Sequence, residues 1–346
     1  MKILISGSSG LVGTALTQAL ASDGHRVIRL VRCGRGATKA SSKQRQDSRK
    51  SSGLDSQAQR ENSSSNITEV PWNPNTCDLE GEPFGEEQHK VEGADAAVNL
   101  AGAPIAGESW TQERKALIRS SRVHTTRELV CAMEKLRDRP KTLVSASAIG
   151  YYGNRGDEVL TEESKPGDDF LARLCQEWEA EAVKAEALDI RVVRARFGII
   201  LAKHGGALPQ MMRPFKFGAG GRVGSGQQWM SWVTLGDVVG VLRYAMDNRA
   251  VSGALNVVAP QPVRNADFAR ELGRAMGRPA VIPAPAFALE LVLGEMAEAL
   301  LLSSQRVMPS RLQQLGYRFL HPTLPAALAA VLASNKPVAQ SATSAR

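Results

Sequence analysis

Residues 6–13 read SGSSGLVG, where the β-rich run KILIS at 2–6 passes into the pattern LVGTALTQALAS at 11–22. The first run is a short strand pattern, and the second repeats its apolar positions at helical spacing. Gly7, Gly10 and Gly13 therefore form GxxGxxG at the junction of a strand and a helix. Each glycine has a physical reason to be there. The first permits a tight turn, the second lets the backbone approach a pyrophosphate, and the third lets the helix pack closely on the strand. Backbone N–H groups along Ser8, Ser9, Leu11 and Val12 then face the anion. An ordinary glycine-rich turn fits the bare pattern too, but its place between these two elements predicts a dinucleotide site.

Outward from that turn, HRVIRLV at 25–31 completes a βαβ unit. Further strand patterns are NITEV (66–70), DAAVNLAG (95–102), KTLVSAS (141–147), IRVVRARFG (190–198) and ALNVVAP (254–260). Helical patterns lie around 110–138 and 168–188. Such alternation predicts an α/β protein: a Rossmann-type, doubly wound parallel sheet with a smaller, mostly helical C-terminal domain. The expected division is a dinucleotide-binding domain over 1–200, rejoined by 234–260. A smaller substrate or lid domain over 201–334 and a flexible tail over 335–346 complete it.

The chain has 346 residues, 43% of them hydrophobic, and a net charge of +8. Half of that charge lies in residues 34–66, which hold seven Lys/Arg, three Asp/Glu, nine Ser and one large apolar residue, Leu54. Such a composition reads as a disordered insertion in a surface loop. No aromatic residue interleaves with its charges, which argues against nucleic acid as the partner. Apolar runs are short and interrupted by charge, so no membrane span is expected. The strand pattern beginning at Lys2 leaves no room for a signal peptide, and a cytoplasmic protein, monomer or homodimer, is expected. Four cysteines and five histidines are scattered. Their spacing suggests neither a disulfide framework nor a metal site.

The end of the second strand bears on which dinucleotide is bound. An NAD site places a carboxylate there for the ribose 2′-hydroxyl. This chain has Val31 and Arg32 instead, and a guanidinium pairs with a 2′-phosphate. NADP is therefore expected ahead of NAD. The bland alternative is that Arg32 is the last solvated residue before a basic loop.

GSSGLVG at the N-terminus, NLAGAPI at 99–105, SASAIGYYG at 145–153 and GSGQQWMSWVTLGD at 224–237 resemble the extended, atypical short-chain dehydrogenase/reductases. Within them the chain is similar to the NAD(P)-dependent epimerase/dehydratase-like family of the SDR39U type, including its C-terminal domain. The resemblance implies cofactor contacts at Leu100, Ala101, Gly102, Leu117, Arg122 and Ile200, and a small-molecule substrate near Gln228, Trp229 and Trp232. It also implies a Tyr-x-x-x-Lys on the helix after SASA, and here the chain departs from it. No Tyr or Lys occurs from 168 to 182, and Phe170 begins an apolar stripe.

Candidate catalytic residues are therefore Ser147, which resembles the substrate-binding serine of the superfamily, and Tyr151 and Tyr152. Both phenols stand past a strand's carboxyl end, where open α/β sheets bind ligands. The expected function is NADP-dependent oxidoreduction of a small carbonyl or hydroxyl compound. The alternatives are nucleotide-sugar epimerisation or dehydration with tightly bound NAD(P), and non-catalytic NADP(H) binding.

Overall fold

Ile3, Leu4 and Ile5 are all at most 1% exposed, because strand β1 (Lys2–Ser6) is covered on both faces and must be apolar in succession. The computed structural model describes residues 1–32, 66–72, 74, 84 and 87–333. The expected insertion over 34–66, Asn66 apart, and the expected tail over 335–346 lie outside the described residues.

The other strands of the sheet are β2 (Arg26–Arg32), β3 (Ile67–Trp72), β4 (Ala96–Asn99), β5 (Thr142–Ala148), β6 (Arg191–Phe197) and β7 (Gly253–Val257). Their order is β7-β6-β5-β4-β1-β2-β3, and every neighbouring pair is parallel. The chain winds outward from β1 through β2 to β3, then returns to β4 on the other side of β1. That reversal puts the topological switch point at the carboxyl ends of β1 and β4, where the glycine turn begins.

Helices α1 (Leu11–Ser22), α2 (Gln112–Ser120), α3 (Val123–Glu134) and α4 (Phe170–Val183) come first in the chain. They are followed by α5 (Leu208–Lys216), α6 (Leu235–Asp247), α7 (Asn265–Met276), α8 (Ala286–Leu293) and α9 (Leu324–Ala333). Leu16 and Leu20 of α1, with Val238, Val241 and Leu242 of α6, pack on the Ile3 and Ile5 face of the sheet. Leu129 and Met133 of α3 and Ala182 of α4 cover the face that shows Leu4 and Leu143. Each such buried leucine contributes about 1.5–3 kcal/mol.

The helical pattern expected over 110–138 is two helices. Ser121 Oγ and Arg122 Nη1 both donate to the carbonyl of Ile118, at 3.0 and 3.1 Å. Side chains thus take an acceptor that a continuous helix needs.

The C-terminal part has its own apolar cluster, including Leu208, Phe215, Trp232, Phe268, Leu272 and Leu328. Two short ladders join it to segments that follow the sheet strands β6 and β5, residues 199–201 with 232–234 and 159–160 with 306–307. A third, 229–230 with 263–264, lies within it. Cys131 is disulfide-bonded, which the scattered cysteine spacing did not indicate. Among the described residues no helix is long and apolar enough to cross a membrane.

Candidate functional site

The three glycines of the turn are required for different reasons. Gly7 has φ +76°, and a Cβ there would stand 2.5 Å from the carbonyl carbon of Leu100. A Cβ on Gly13 would stand 2.2 Å from the Gly7 carbonyl oxygen. Strand, turn and helix leave no room at either place. Gly10 differs: its φ of −74° is ordinary, and a Cβ would meet Gly7 O alone, at 3.4 Å. Neither backbone nor packing asks for glycine at 10, so the open space beside it is what a close-lying pyrophosphate would use.

The first turn of α1 carries no acidic residue and no side-chain cap, which suits an anion against its N–H groups. Ser8 is buried and its Oγ accepts from Arg29 Nε at 3.2 Å, while Ser9 is exposed. Leu11 and Val12 are half-buried. Gly205 and Gly206, both with positive φ, lie against the Leu11 side chain and bring a C-terminal loop over the start of α1. The pair opens the glycine-rich stretch GGALPQMMRPFKFGAGG at 205–221, and a GG dipeptide marks a turn.

Val31 and Arg32 are exposed at the end of β2. Arg32 Nη2 donates to Thr125 Oγ1 of α3 at 3.1 Å, and no carboxylate among the described residues pairs with Arg32. Arg122 is 8% exposed and likewise has no carboxylate partner among the described residues. Its guanidinium donates to the carbonyls of Ile118 and Ala103, lies 5.4 Å from the Trp178 ring and would meet a Cβ on Gly102 at 3.0 Å. Burial lowers its pKa to about 10. A buried cation without a carboxylate is costly unless an anion completes the site.

Asn99 holds the NLAG turn, donating to Thr126 Oγ1 at 2.7 Å and accepting from the N–H of Ala101 at 3.4 Å. Leu100 is half-buried, Ala101 buried and Gly102 exposed beside Arg122. Ile200 is half-buried, and Leu117 lies on the exposed side of α2.

At the end of β5 the structure separates the three candidate catalytic residues. Ser147 is buried and donates to Glu179 Oε1 of α4 at 2.7 Å. The same carboxylate receives Arg196 of β6 through two bonds, at 2.7 and 2.9 Å. Arg196 Nη1 in turn donates to the hydroxyl of Tyr152, which donates to Asn256 Oδ1 at 2.6 Å. Tyr152 is 0% exposed, and burial pushes its phenol up to about 12. The expectation that Ser147 and Tyr152 act on substrate therefore meets a physical obstacle, since both hydroxyls are buried and committed to a network that ties α4, β5, β6 and β7 together.

Tyr151 is half-buried and its hydroxyl has no hydrogen-bond partner among the described residues. Its ring stands edge-on to Tyr152 at 5.3 Å. Of the three residues, this is the one whose hydroxyl no other side chain takes among the described residues. Glu179 and Arg196 escaped the sequence reading. Arg194 and Arg196 two apart in a strand that otherwise reads as core were the available signal, since alternate residues share a face.

The expected substrate contacts divide similarly. Gln228 is buried and its amide donates to the carbonyls of Val223 and Leu301, which occupies both of its protons. Trp232 is 0% exposed and donates to the carbonyl of Gln261, which makes it core. Trp229 is half-buried, donates to Asp157 Oδ1 at 3.0 Å, and carries Arg264 and Arg306 against its ring at 4.2 and 4.5 Å.

A doubly wound parallel sheet with its switch point over a GxxGxxG turn defines a Rossmann-type α/β protein. The chain belongs to the NAD-dependent epimerase/dehydratase family, whose model matches residues 3–258, and residues 284–331 match a domain of unknown function, DUF1731. It is 37% identical over 339 residues to the epimerase family protein YfhF of Bacillus subtilis, covering 98% of this chain and 100% of that one. It is 34% identical over 336 residues to the human epimerase family protein SDR39U1, covering 96% and 100%. Among solved structures, the human epimerase family protein SDR39U1 with NADPH superposes with a TM-score of 0.76 at 33% identity, over 96% of this chain and 99% of that one. A nucleoside-diphosphate sugar epimerase from Corynebacterium glutamicum superposes with a TM-score of 0.68 at 33% identity, over 96% of this chain and 58% of that one.

Proposed function

We propose that this chain is an NADP-dependent oxidoreductase acting on a small carbonyl or hydroxyl compound. The observation that carries the reading is the end of β2, where exposed Arg32 stands without a carboxylate partner among the described residues and the NAD-type acidic residue is absent. The room beside Gly10 and the buried Arg122 support an anionic cofactor lying across the switch point. The human relative's structure with NADPH supports the same choice.

When bound, the reduced cofactor supplies hydride. The chain's own residues hold the rest: the α1 N-terminus and Arg32 bind phosphate, Arg122 completes the pocket wall, and Tyr151 holds the proton. With the cofactor supplying hydride to a carbonyl carbon, the Tyr151 hydroxyl would supply the proton to the carbonyl oxygen, which would give an alcohol. The phenolate left on Tyr151 would regain its proton from water.

A second reading, NADP(H) binding without turnover, is favoured by the commitments of Ser147 and Tyr152 and by Phe170 at the start of α4. Cofactor oxidation over a panel of aldehydes and ketones separates the two. Turnover that is lost in Tyr151→Phe supports the enzyme, whereas tight NADPH binding with no turnover on any compound supports the second reading.

A further inference from the structure

Large apolar side chains stand open to solvent on the C-terminal part. Phe217 and Leu291 are each 86% exposed, and Val281, Ile282, Phe287 and Val292 are all more than half exposed. They come from stretches that lie side by side. Residues 217–222, which follow α5, run beside 282–284, where the N–H of Ile282 donates to the carbonyl of Gly220 at 3.0 Å and that of Ala284 to the carbonyl of Arg222 at 2.9 Å. Helix α8 follows at once, and none of its residues is buried. From Pro279 to Leu289 eleven residues pass without a polar side chain. A single exposed hydrophobe is ordinary, whereas a gathering of them marks an interaction surface.

Cations border the same face. Lys216 immediately precedes Phe217, Arg213 lies about one turn earlier on α5, and Arg278 stands just before the apolar run. All three are exposed. Arg213 donates to Gln210 Oε1 at 3.2 Å, and none of the three has a carboxylate partner among the described residues. Glu290, also exposed, is the one carboxylate of α8.

Charge decides between occupants. A second copy seated here about a two-fold axis would bring three such cations from each protomer into one interface, with one carboxylate from each to offset them, and like charges oppose association. A negatively charged lipid surface meets both halves of the pattern. Its acyl boundary takes the apolar side chains and its headgroups take the cations.

We infer that the face formed by Phe217, Val281, Phe287, Leu291 and Val292 seats the protein on an anionic lipid surface. The contact is peripheral, since no helix among the described residues is long and apolar enough to cross a membrane.

Flotation of the purified full chain tests this with vesicles of phosphatidylcholine alone and of an equimolar mixture with phosphatidylglycerol. Wild type is expected to float with the mixed vesicles and not with phosphatidylcholine alone. The double variant Phe287→Ser/Leu291→Ser is expected to weaken binding about tenfold or more. Arg213→Gln, Lys216→Gln and Arg278→Gln are each expected to weaken it about fivefold. Leu291→Ile keeps the apolar contact and is expected to bind as wild type does. Because every altered side chain is exposed, thermal unfolding of all these variants is expected to match wild type. Residues 34–66 hold seven Lys/Arg, whose charge attracts acidic lipid by itself. Flotation that none of the variants at 213, 216, 278, 287 and 291 weakens would come from such charge elsewhere, and it overturns the inference. No flotation with the mixed vesicles, or equal flotation with both kinds, overturns it too. Sedimentation velocity covers the other occupant: a wild-type dimer that dissociates in Phe287→Ser/Leu291→Ser assigns the face to a second copy instead.

Discussion

Arg196 holds its guanidinium 3.5 Å from the centroid of the Tyr151 ring. The cation is fixed by Glu179, so the two adjacent phenols at the end of β5 meet opposite fates: one hydroxyl is tied inside the network, the other is left open.

Tyr152→Phe is therefore predicted to be a stability variant. It removes a buried hydroxyl from both Arg196 and Asn256, leaving two polar groups short of a partner, at a cost of about 1–3 kcal/mol. Tyr151→Phe is predicted to change stability by less than about 0.5 kcal/mol and to abolish carbonyl reduction. Urea unfolding and cofactor oxidation on both variants check the split. Equal stability losses in the two would remove the structural distinction between the phenols.

Gly10→Ala and Gly13→Ala form a second contrast. A methyl at 13 collides with the Gly7 carbonyl, so that variant is expected to lose about 1–3 kcal/mol or more. A methyl at 10 meets open space and leaves stability within about 1 kcal/mol. It intrudes where the pyrophosphate is proposed to lie, and dinucleotide affinity is expected to fall about tenfold or more. Thermal unfolding and calorimetric titration separate the two effects. A Gly10→Ala variant with full NADPH affinity would show that the cofactor does not approach this turn.

Much of the fold is legible because a sheet covered on both faces forces apolar runs, and the runs at 2–6, 25–31, 141–147 and 190–198 mark four of its strands to within one residue at either end. The glycine turn is legible because GxxGxxG has mechanical meaning at a strand–helix junction. What failed to show was the direction of polar side chains. Ser147 and Tyr152 have the residue types of catalysis, but their burial is decided by Glu179 and Asn256, 32 and 104 positions away. No local pattern encodes that partnership. Gln228 and Trp232 are placed in the same way, their donors taken by carbonyls that come near only after folding. Arg122 was reached through resemblance, since on an isolated helix it reads as one more solvated charge.

Glu162 gives a pH dependence. It is buried and accepts from the N–H groups of Asn256 and Arg311, and burial raises its pKa above the ordinary 4.5. A carboxyl whose folded pKa is raised binds its proton more tightly when folded. Its ionisation therefore lowers stability as pH rises from about 4.5 through the folded value. Glu162→Gln keeps an acceptor and cannot ionise. Relative to wild type, the variant is predicted to gain stability between pH 4 and pH 7, measured by urea unfolding at each pH. A difference that stays flat over that window, or that runs the other way, contradicts the assignment.

The central claim is that Arg32 anchors a 2′-phosphate, and calorimetric titration of wild type, Arg32→Ala and Arg32→Asp with NADPH and NADH tests it most directly. Losing a charge-assisted pair costs about 1.5–3 kcal/mol, or roughly tenfold to a hundredfold in affinity. Wild type is predicted to bind NADPH more tightly than NADH, Arg32→Ala to lose most of that preference, and Arg32→Asp to reverse it by repelling the phosphate. Equal affinities for the two cofactors in wild type, or an unchanged ratio in Arg32→Ala, would contradict the account.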